Sequence, residues 1–238
     1  MKLEVYSDAD AVALEAAKLI AKQARDAVAS RGKFVMAVSG GKTPWVMLRA
    51  LAKEDVPWNA VHVMQVDERV ASNNDPDRNL THLRESLLEH ARLRPEQIYA
   101  MPVEAANIEA ACAQYALTLE TIAGSSSVLD LIHLGLGPDG HTASLVPGDP
   151  VLEVRDADVA VTGIYQKRRR MTLTYPIINR ARFVLWLVTG NEKAGMLPRL
   201  MAGDNSIPAG RVRAVNSLVV ADSAAAEQVD RNSKTEVV

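Results

Sequence analysis

Cysteine is nearly absent: Cys112 is the only one in 238 residues. No intrachain disulfide can form, and a cysteine-based metal site is excluded. Aromatic residues are scarce too, at 4% of the chain, so the core must be aliphatic. Neither sign of charge dominates. The formal net charge of -2 gives the chain no overall pull toward nucleic acid or anionic membrane. Any anion must be held by a local group of cations. No apolar run approaches the length of a membrane span. The stretch from Met1 to Asp10 is polar and lacks the apolar centre of a signal peptide. The expected setting is cytoplasmic, with no nucleic-acid or membrane partner.

What is present is ordinary for a globular chain: 48% hydrophobic and 24% charged residues. The length suits one α/β domain over residues 1–238. Val12, Ala16, Leu19, Ile20, Ala24 and Ala27 recur at helical spacing, with Ser7 or Asp8 as cap and Gly32 as stop. The apolar run Phe34 to Val38 reads as a buried strand, followed by a glycine turn and a helix over about Pro44 to Lys53. Strands are expected over Val61–Val66, Val128–Leu134 and Phe183–Val188, with a short one at Leu218–Val220. Val159–Ile164 and Met171–Thr174 read as two more, either within the sheet or as a hairpin. Helices are expected over Asn79–His90, Asn107–Ile122 and Glu192–Met201. This alternation implies a mostly parallel sheet covered by helices on both faces. The tail after about Asp222 is polar and small-residue rich, and is expected to fray or be disordered.

Ligands of open parallel sheets bind beyond the carboxyl ends of the strands, so the residues there carry the functional signal. Ser39-Gly40-Gly41-Lys42-Thr43-Pro44 follows the first buried strand. Its glycines allow a tight turn and close approach, Thr43 can cap the helix, and Pro44 suits the first turn. The helix start with Lys42 offers a phosphate site; a plain strand-to-helix turn is the alternative. A P-loop is excluded, because Met36 stands where that motif needs glycine. Asp67-Glu68-Arg69 follows the next strand. Arg69 can hold a phosphate through its forked donors. Asp67 or Glu68 can orient a base or bind sugar hydroxyls.

Gly135, Gly137 and Gly140 spell a dinucleotide fingerprint. Pro147 arrives too soon after it for the helix that fingerprint needs, and Pro138 stiffens the loop. The segment reads instead as a glycine turn displaying His141 beside a short helix start. Histidine titrates near neutral pH and suits general acid–base work, and Asp139 or the upstream acids can fix its tautomer. His62, His133, His82 and His90 fall inside elements and read as structural. Of the cation run Lys167-Arg168-Arg169-Arg170, most is expected in solvent and one arginine in the site. Lys193, after a further strand, can reach a phosphate or lie on the surface.

The segments Val38 to Pro44, Val66 to Val70, Gly135 to Leu145, Arg170 to Thr174 and Val188 to Ala194 together resemble, in order, the 6-phosphogluconolactonase family. That resemblance implies a modified Rossmann-like fold shared with glucosamine-6-phosphate deaminases. It implies hydrolysis of 6-phospho-D-glucono-1,5-lactone without metal or cofactor, with a sugar-phosphate lactone as the small-molecule partner. It makes His141 the base, and Asp139 is set beside it as a catalytic residue, with Asp67 and Glu68 open as other acids that can support the histidine. Arg69, Arg170 and Lys193 become substrate or phosphate contacts, with Arg169 as the alternative to Arg170, and Gly40 and Gly41 become the phosphate-loop backbone. Ser39, Lys42, Thr43 and Asp67, from the strand-end reading, are expected to bind substrate or phosphate with them. The expected assembly is a monomer or weak homodimer. The chain departs from the family at Val146, where an aromatic residue is common, and at Gly210, where serine is frequent. Deaminases carry an acid shortly after the histidine and an aromatic residue where Arg69 stands; this chain has Ser144-Leu145-Val146-Pro147 after His141.

Overall fold

Among the described residues two sheets organise the chain, a parallel one of eight strands and an antiparallel one of three. The structure is a computed structural model; it describes residues 1–229 and 235–237, the last three through their backbone alone. In the large sheet, β1 (Lys2–Tyr6), β2 (Phe34–Val38), β3 (Val61–Gln65), β5 (Ile98–Tyr99), β6 (Leu131–Gly135), β9 (Val184–Val188), β10 (Ser217–Asp222) and β11 (Thr235–Val237) lie in the order β11-β1-β10-β9-β6-β2-β3-β5. Every pairing within it is parallel. The small sheet places β4 (Asp67–Arg69) and β7 (Val159–Val161) antiparallel on either side of β8 (Arg170–Leu173). Of the two expectations for the 159–174 region, the hairpin holds.

Strands β2 and β9 are apolar and buried at every residue, as a sheet covered on both faces requires. Their period of two sorts side chains between two cores. Val35, Ala37, Ile132, Leu134, Trp186 and Val219 face one. Phe34, Met36, Leu131, Leu185, Leu187 and Val220 face the other. The second core is closed by α1 (Ala9–Arg31) and α2 (Lys42–Leu51). The buried stripe of α1 is largely alanine, which lets its backbone approach the sheet closely. Asp8 caps α1 by accepting from the Ala11 amide at 2.9 Å, and Gly32 ends it in the left-handed region at φ 75°. The first core is closed by α4 (Ile108–Ala123) and α5 (Tyr175–Arg180).

Some elements differ from expectation for local reasons. The helix expected over Asn79–His90 is α3 (Asn79–Leu83) running into a π turn over Arg84–Leu88. The one expected over Glu192–Met201 is a 3₁₀ turn, Asn191–Lys193, then α6 (Leu197–Met201); Gly195 and Pro198 disfavour a continuous helix. No helix follows His141: a tight turn pairs Thr142 with Leu145, and Ala143 takes φ 51°. Strands β1, β4, β5 and β11 are too short or too polar to read from periodicity. The described part of the tail is held in place, with the Ser223 amide donating to Tyr6 and Ala225 buried; residues 230–234 and 238 lie outside the described residues. Among the described residues no helix is long and apolar enough to cross a membrane.

Strand order places the site. From β2 the chain proceeds to β3 and β5 on one side; from β6 it proceeds to β9 and β10 on the other. The neighbours β2 and β6 therefore lead away in opposite directions, which opens a crevice at their carboxyl ends. Ser39 and the glycine turn before His141 leave the sheet there.

Candidate active site

A cavity of about 480 Å³ fills this crevice. It collects residues from every strand end singled out above: Ser39 to Thr43, Asp67, Arg69, His141, Arg170 and Lys193 all line it. Such a size is ordinary for a small-molecule site.

The His141 turn forms the chemical centre. Gly137 accepts the Gly140 amide and donates its own to the His141 carbonyl at 2.8 Å, closing the loop on itself. Gly140 sits at φ 81°, a conformation glycine adopts without strain. The imidazole Nδ1 lies 2.5 Å from Asp139 Oδ1, which also accepts the His141 backbone amide at 3.1 Å. An Nδ1–H held by a carboxylate leaves the Nε2 lone pair for the cavity. The other Asp139 oxygen accepts the Tyr165 hydroxyl at 3.1 Å. Partial burial opposes the charge of Asp139, but His141, its amide and Tyr165 outweigh it and hold the carboxyl below its usual range. Neither Asp67 nor Glu68 hydrogen-bonds the histidine.

Glu68 belongs to the framework. It is fully buried and accepts the Asn79 and Leu80 amides at 2.8 Å and the Gln65 side chain at 2.9 Å. Asp67 lines the cavity, but its carboxylate is already engaged by the Ser144 hydroxyl at 2.5 Å and by Asn79 Nδ2 at 3.1 Å. Asn79 joins two site residues, because its Oδ1 also accepts from the Arg69 guanidinium. A Cβ on Gly40 would lie 2.0 Å from that same oxygen, so only glycine lets the loop pass.

The cation run separates by partner. Arg168 binds Asp75 and Asp77, and Arg169 binds Glu109 at 2.7 Å near the surface. Of the three arginines Arg170 alone enters the cavity, 5% exposed, with Nη2 donating to Gln166 and Nε unpartnered. Burial lowers its pKa, Asp67 opposes that and Arg69 adds to it. A guanidinium remains charged at neutral pH regardless. Lys193 is mostly covered and 3.7 Å from Glu192. Lys42 opens α2, whose first-turn amides have no intrahelical acceptor.

One expectation about the loop at α2 changes. Gly41, at φ 133°, is the cap, and Thr43 is already inside the helix. The Thr43 hydroxyl instead meets Thr189 at 2.7 Å and ties α2 to the end of β9. Ser39 is fastened to the buried His133: its amide donates to Nδ1 at 3.2 Å and its hydroxyl to the carbonyl at 3.0 Å. Neither departure from the family pattern opens the site. Val146 is buried in the interior. Gly210 lies off the cavity, and a Cβ there would meet the Asp204 carbonyl at 2.0 Å.

Sequence reasoning missed Asn79, Tyr165, Thr189 and Asp222. Asn79, Thr189 and Asp222 line the cavity, and Asp222 anchors the Gly190 turn by accepting its amide at 3.0 Å. The one available signal was position: Thr189 and Asp222 stand at strand ends, while only the fold brings Asn79 and Tyr165 close.

A parallel sheet with a histidine turn and cations at its switch point defines the class, an α/β protein with a small-molecule site beyond the carboxyl ends of its strands. The family described as glucosamine-6-phosphate isomerases/6-phosphogluconolactonase matches residues 7–220, and the chain belongs to it. A 6-phosphogluconolactonase of Synechocystis is 41% identical over 180 residues, 74% of this chain and 75% of that one. A 6-phosphogluconolactonase structure from Thermotoga maritima superposes with TM-score 0.83 at 26% identity, covering 93% of this chain and 98% of its own. A monomeric glucosamine-6-phosphate deaminase superposes as well, with TM-score 0.84 at 19% identity over 96% of this chain and 100% of its own. Backbone shape therefore does not separate the two chemistries; the side chains have to.

Proposed function

We propose that the protein hydrolyses 6-phospho-D-glucono-1,5-lactone to 6-phospho-D-gluconate, with His141 as general base. The observation that carries this is the His141–Asp139 pair in a cavity that also holds Lys42, Arg69, Arg170 and Lys193. A base with its tautomer fixed suits activation of water, and the cations suit a phosphorylated substrate. The segment after His141 supports lactone opening over deamination. Ser144 is fully buried and bonded to Asp67, and no carboxylate follows His141 before Asp149.

In this mechanism Nε2 of neutral His141 takes a proton from water as the oxygen attacks C1. The carbonyl π electrons move onto its oxygen, where nearby positive charge stabilises them. Collapse of the adduct breaks the bond from C1 to the ring oxygen, which receives the proton from His141. The atoms of one water are added and the base is regenerated. Arg69, Lys193 and the α2 start hold the phosphate and so fix the carbonyl against the base, with binding energy drawn from outside the reacting atoms.

The test is lactone opening measured against its spontaneous rate, beside ammonia release from glucosamine 6-phosphate. Opening is expected to accelerate in proportion to protein added, with no ammonia formed. No acceleration, or ammonia release alone, overturns the reading.

A further inference from the structure

The hairpin between β7 and β8 carries a tyrosine that the mechanism does not use. Tyr165 pairs with Arg168 across a two-residue turn, with Gln166 at φ 50° and Lys167 at φ 69°. Both are non-glycine residues in the left-handed region, an uncommon and costly arrangement. The turn is pinned from outside, by Arg170 donating to Gln166 at 2.9 Å and by Arg168 bound to Asp75 at 3.0 Å. So held, the Tyr165 side chain makes three contacts. Its hydroxyl donates to Asp139 Oδ2 at 3.1 Å, its ring meets the His141 ring edge-on with centroids 5.5 Å apart, and the Arg170 guanidinium lies over it at 5.0 Å.

We propose that Tyr165 is a positioning residue with two separable parts: the hydroxyl tempers the Asp139 carboxylate that orients His141, and the ring seats Arg170. This rests on the functional reading above. A carboxylate that gives one oxygen to Tyr165 has less negative charge for the imidazolium bonded to the other. The other charged groups lining the cavity are Arg69 and Asp67 from β4, Lys42 from α2, Glu192 and Lys193 after β9, and Asp222 from β10; Tyr165→Phe leaves each in place. Tyr165→Phe removes the hydroxyl and keeps the ring, while Tyr165→Leu removes both.

The experiment follows the His141 ring protons by NMR through a pH titration, assigned by comparison with His141→Ala, alongside steady-state lactone kinetics. In Tyr165→Phe the imidazole midpoint is expected to rise by about half to one pH unit, roughly half the strength of the charge-assisted hydrogen bond lost from the carboxylate, since only part of it is passed on to the ring. KM for the phosphorylated lactone is expected to stay within about twofold of wild type. In Tyr165→Leu the midpoint rises as well, and KM increases about two- to tenfold as the ring contact to Arg170 is lost. An unchanged or lowered midpoint in Tyr165→Phe overturns the hydroxyl's role. An equal KM in Tyr165→Leu and Tyr165→Phe overturns the ring's. The titration needs no turnover, so a protein that fails to open the lactone sinks the functional reading while the midpoint still decides the role of the hydroxyl.

Discussion

The His141 ring occupies the space where a side chain on Gly137 would begin: a Cβ there would lie 2.1 Å from Nδ1 and 2.3 Å from Cε1. Gly137 is thus required by the imidazole itself, beyond any need of the turn. Gly137→Ala is expected to push the ring off Asp139 and lower kcat about a hundredfold, the scale of an ångström-sized misplacement. KM should change little. Steady-state lactone kinetics check this, and a kcat near wild type would mean that ring placement is not critical.

Direct removal of the pair gives a graded series. His141→Ala is expected to lose about two or more decades of kcat, the contribution of a positioned base. Asp139→Asn keeps the shape but removes the negative charge that fixes the tautomer, and should lose about tenfold or more. The same assay, corrected for spontaneous opening, separates the two.

Arg69→Ala is expected to lower the preference for phosphorylated over plain gluconolactone by about ten- to a hundredfold, the range of a charge-assisted contact. Arg169, whose guanidinium binds Glu109 near the surface, serves as the control, and Arg169→Ala should stay within about twofold of wild type. The ratio of kcat/KM for the two lactones reads both.

Asn79→Ala removes the acceptor that steadies Arg69 and the donor on Asp67. KM for the phosphorylated lactone is expected to rise several-fold, about what one lost hydrogen bond accounts for, with a smaller change in kcat. A fall in kcat alone would place Asn79 with the base and not with the phosphate clamp.

His133 predicts a pH dependence of stability. Burial lowers its pKa to about 3, so the native state keeps it neutral while the unfolded chain takes up a proton near its ordinary value of about 6.5. Between those two values the unfolded state binds more protons, and stability falls as pH falls. The loss from this one group reaches about 1.4 kcal/mol per pH unit at most. His133→Asn keeps an acceptor for the Ser39 amide and does not titrate. Urea unfolding at pH 7 and pH 5 should show a shallower acid slope in the variant; parallel slopes would mean that His133 is protonated in the native state.

Much of this was legible in the sequence, for reasons that are physical and local. The runs at β2 and β9 announced buried strands because both faces of a parallel sheet are covered. The site residues at strand ends were legible because topology sends every such end to one side of the sheet. His141 and Arg69 fell into one cavity on that rule. The hairpin of β7 and β8 stayed open between two readings, since strands of three or four residues do not say which partner they pair with. Asn79 and Tyr165 were hidden because their neighbours are distant in sequence: Asn79 meets Gly40, and Tyr165 meets Asp139. The choice between Arg169 and Arg170 likewise depended on the fold, which turns Arg170, at the start of β8, into the cavity and Arg169, just before it, toward Glu109.

The pairing of β1 with β10 has a consequence for the making of the protein. Lys2 lies opposite Leu218 and Tyr6 opposite Asp222, so β1 waits for a strand made much later in the chain. Contacts this remote in sequence slow the search for the native state. Until β10 leaves the ribosome β1 lacks this sheet neighbour, and Asp222 at the end of β10 also anchors the Gly190 turn beside the cavity. The crevice is therefore completed only once β10 has been made, and a finished cavity reports that β10 has found its place in the sheet.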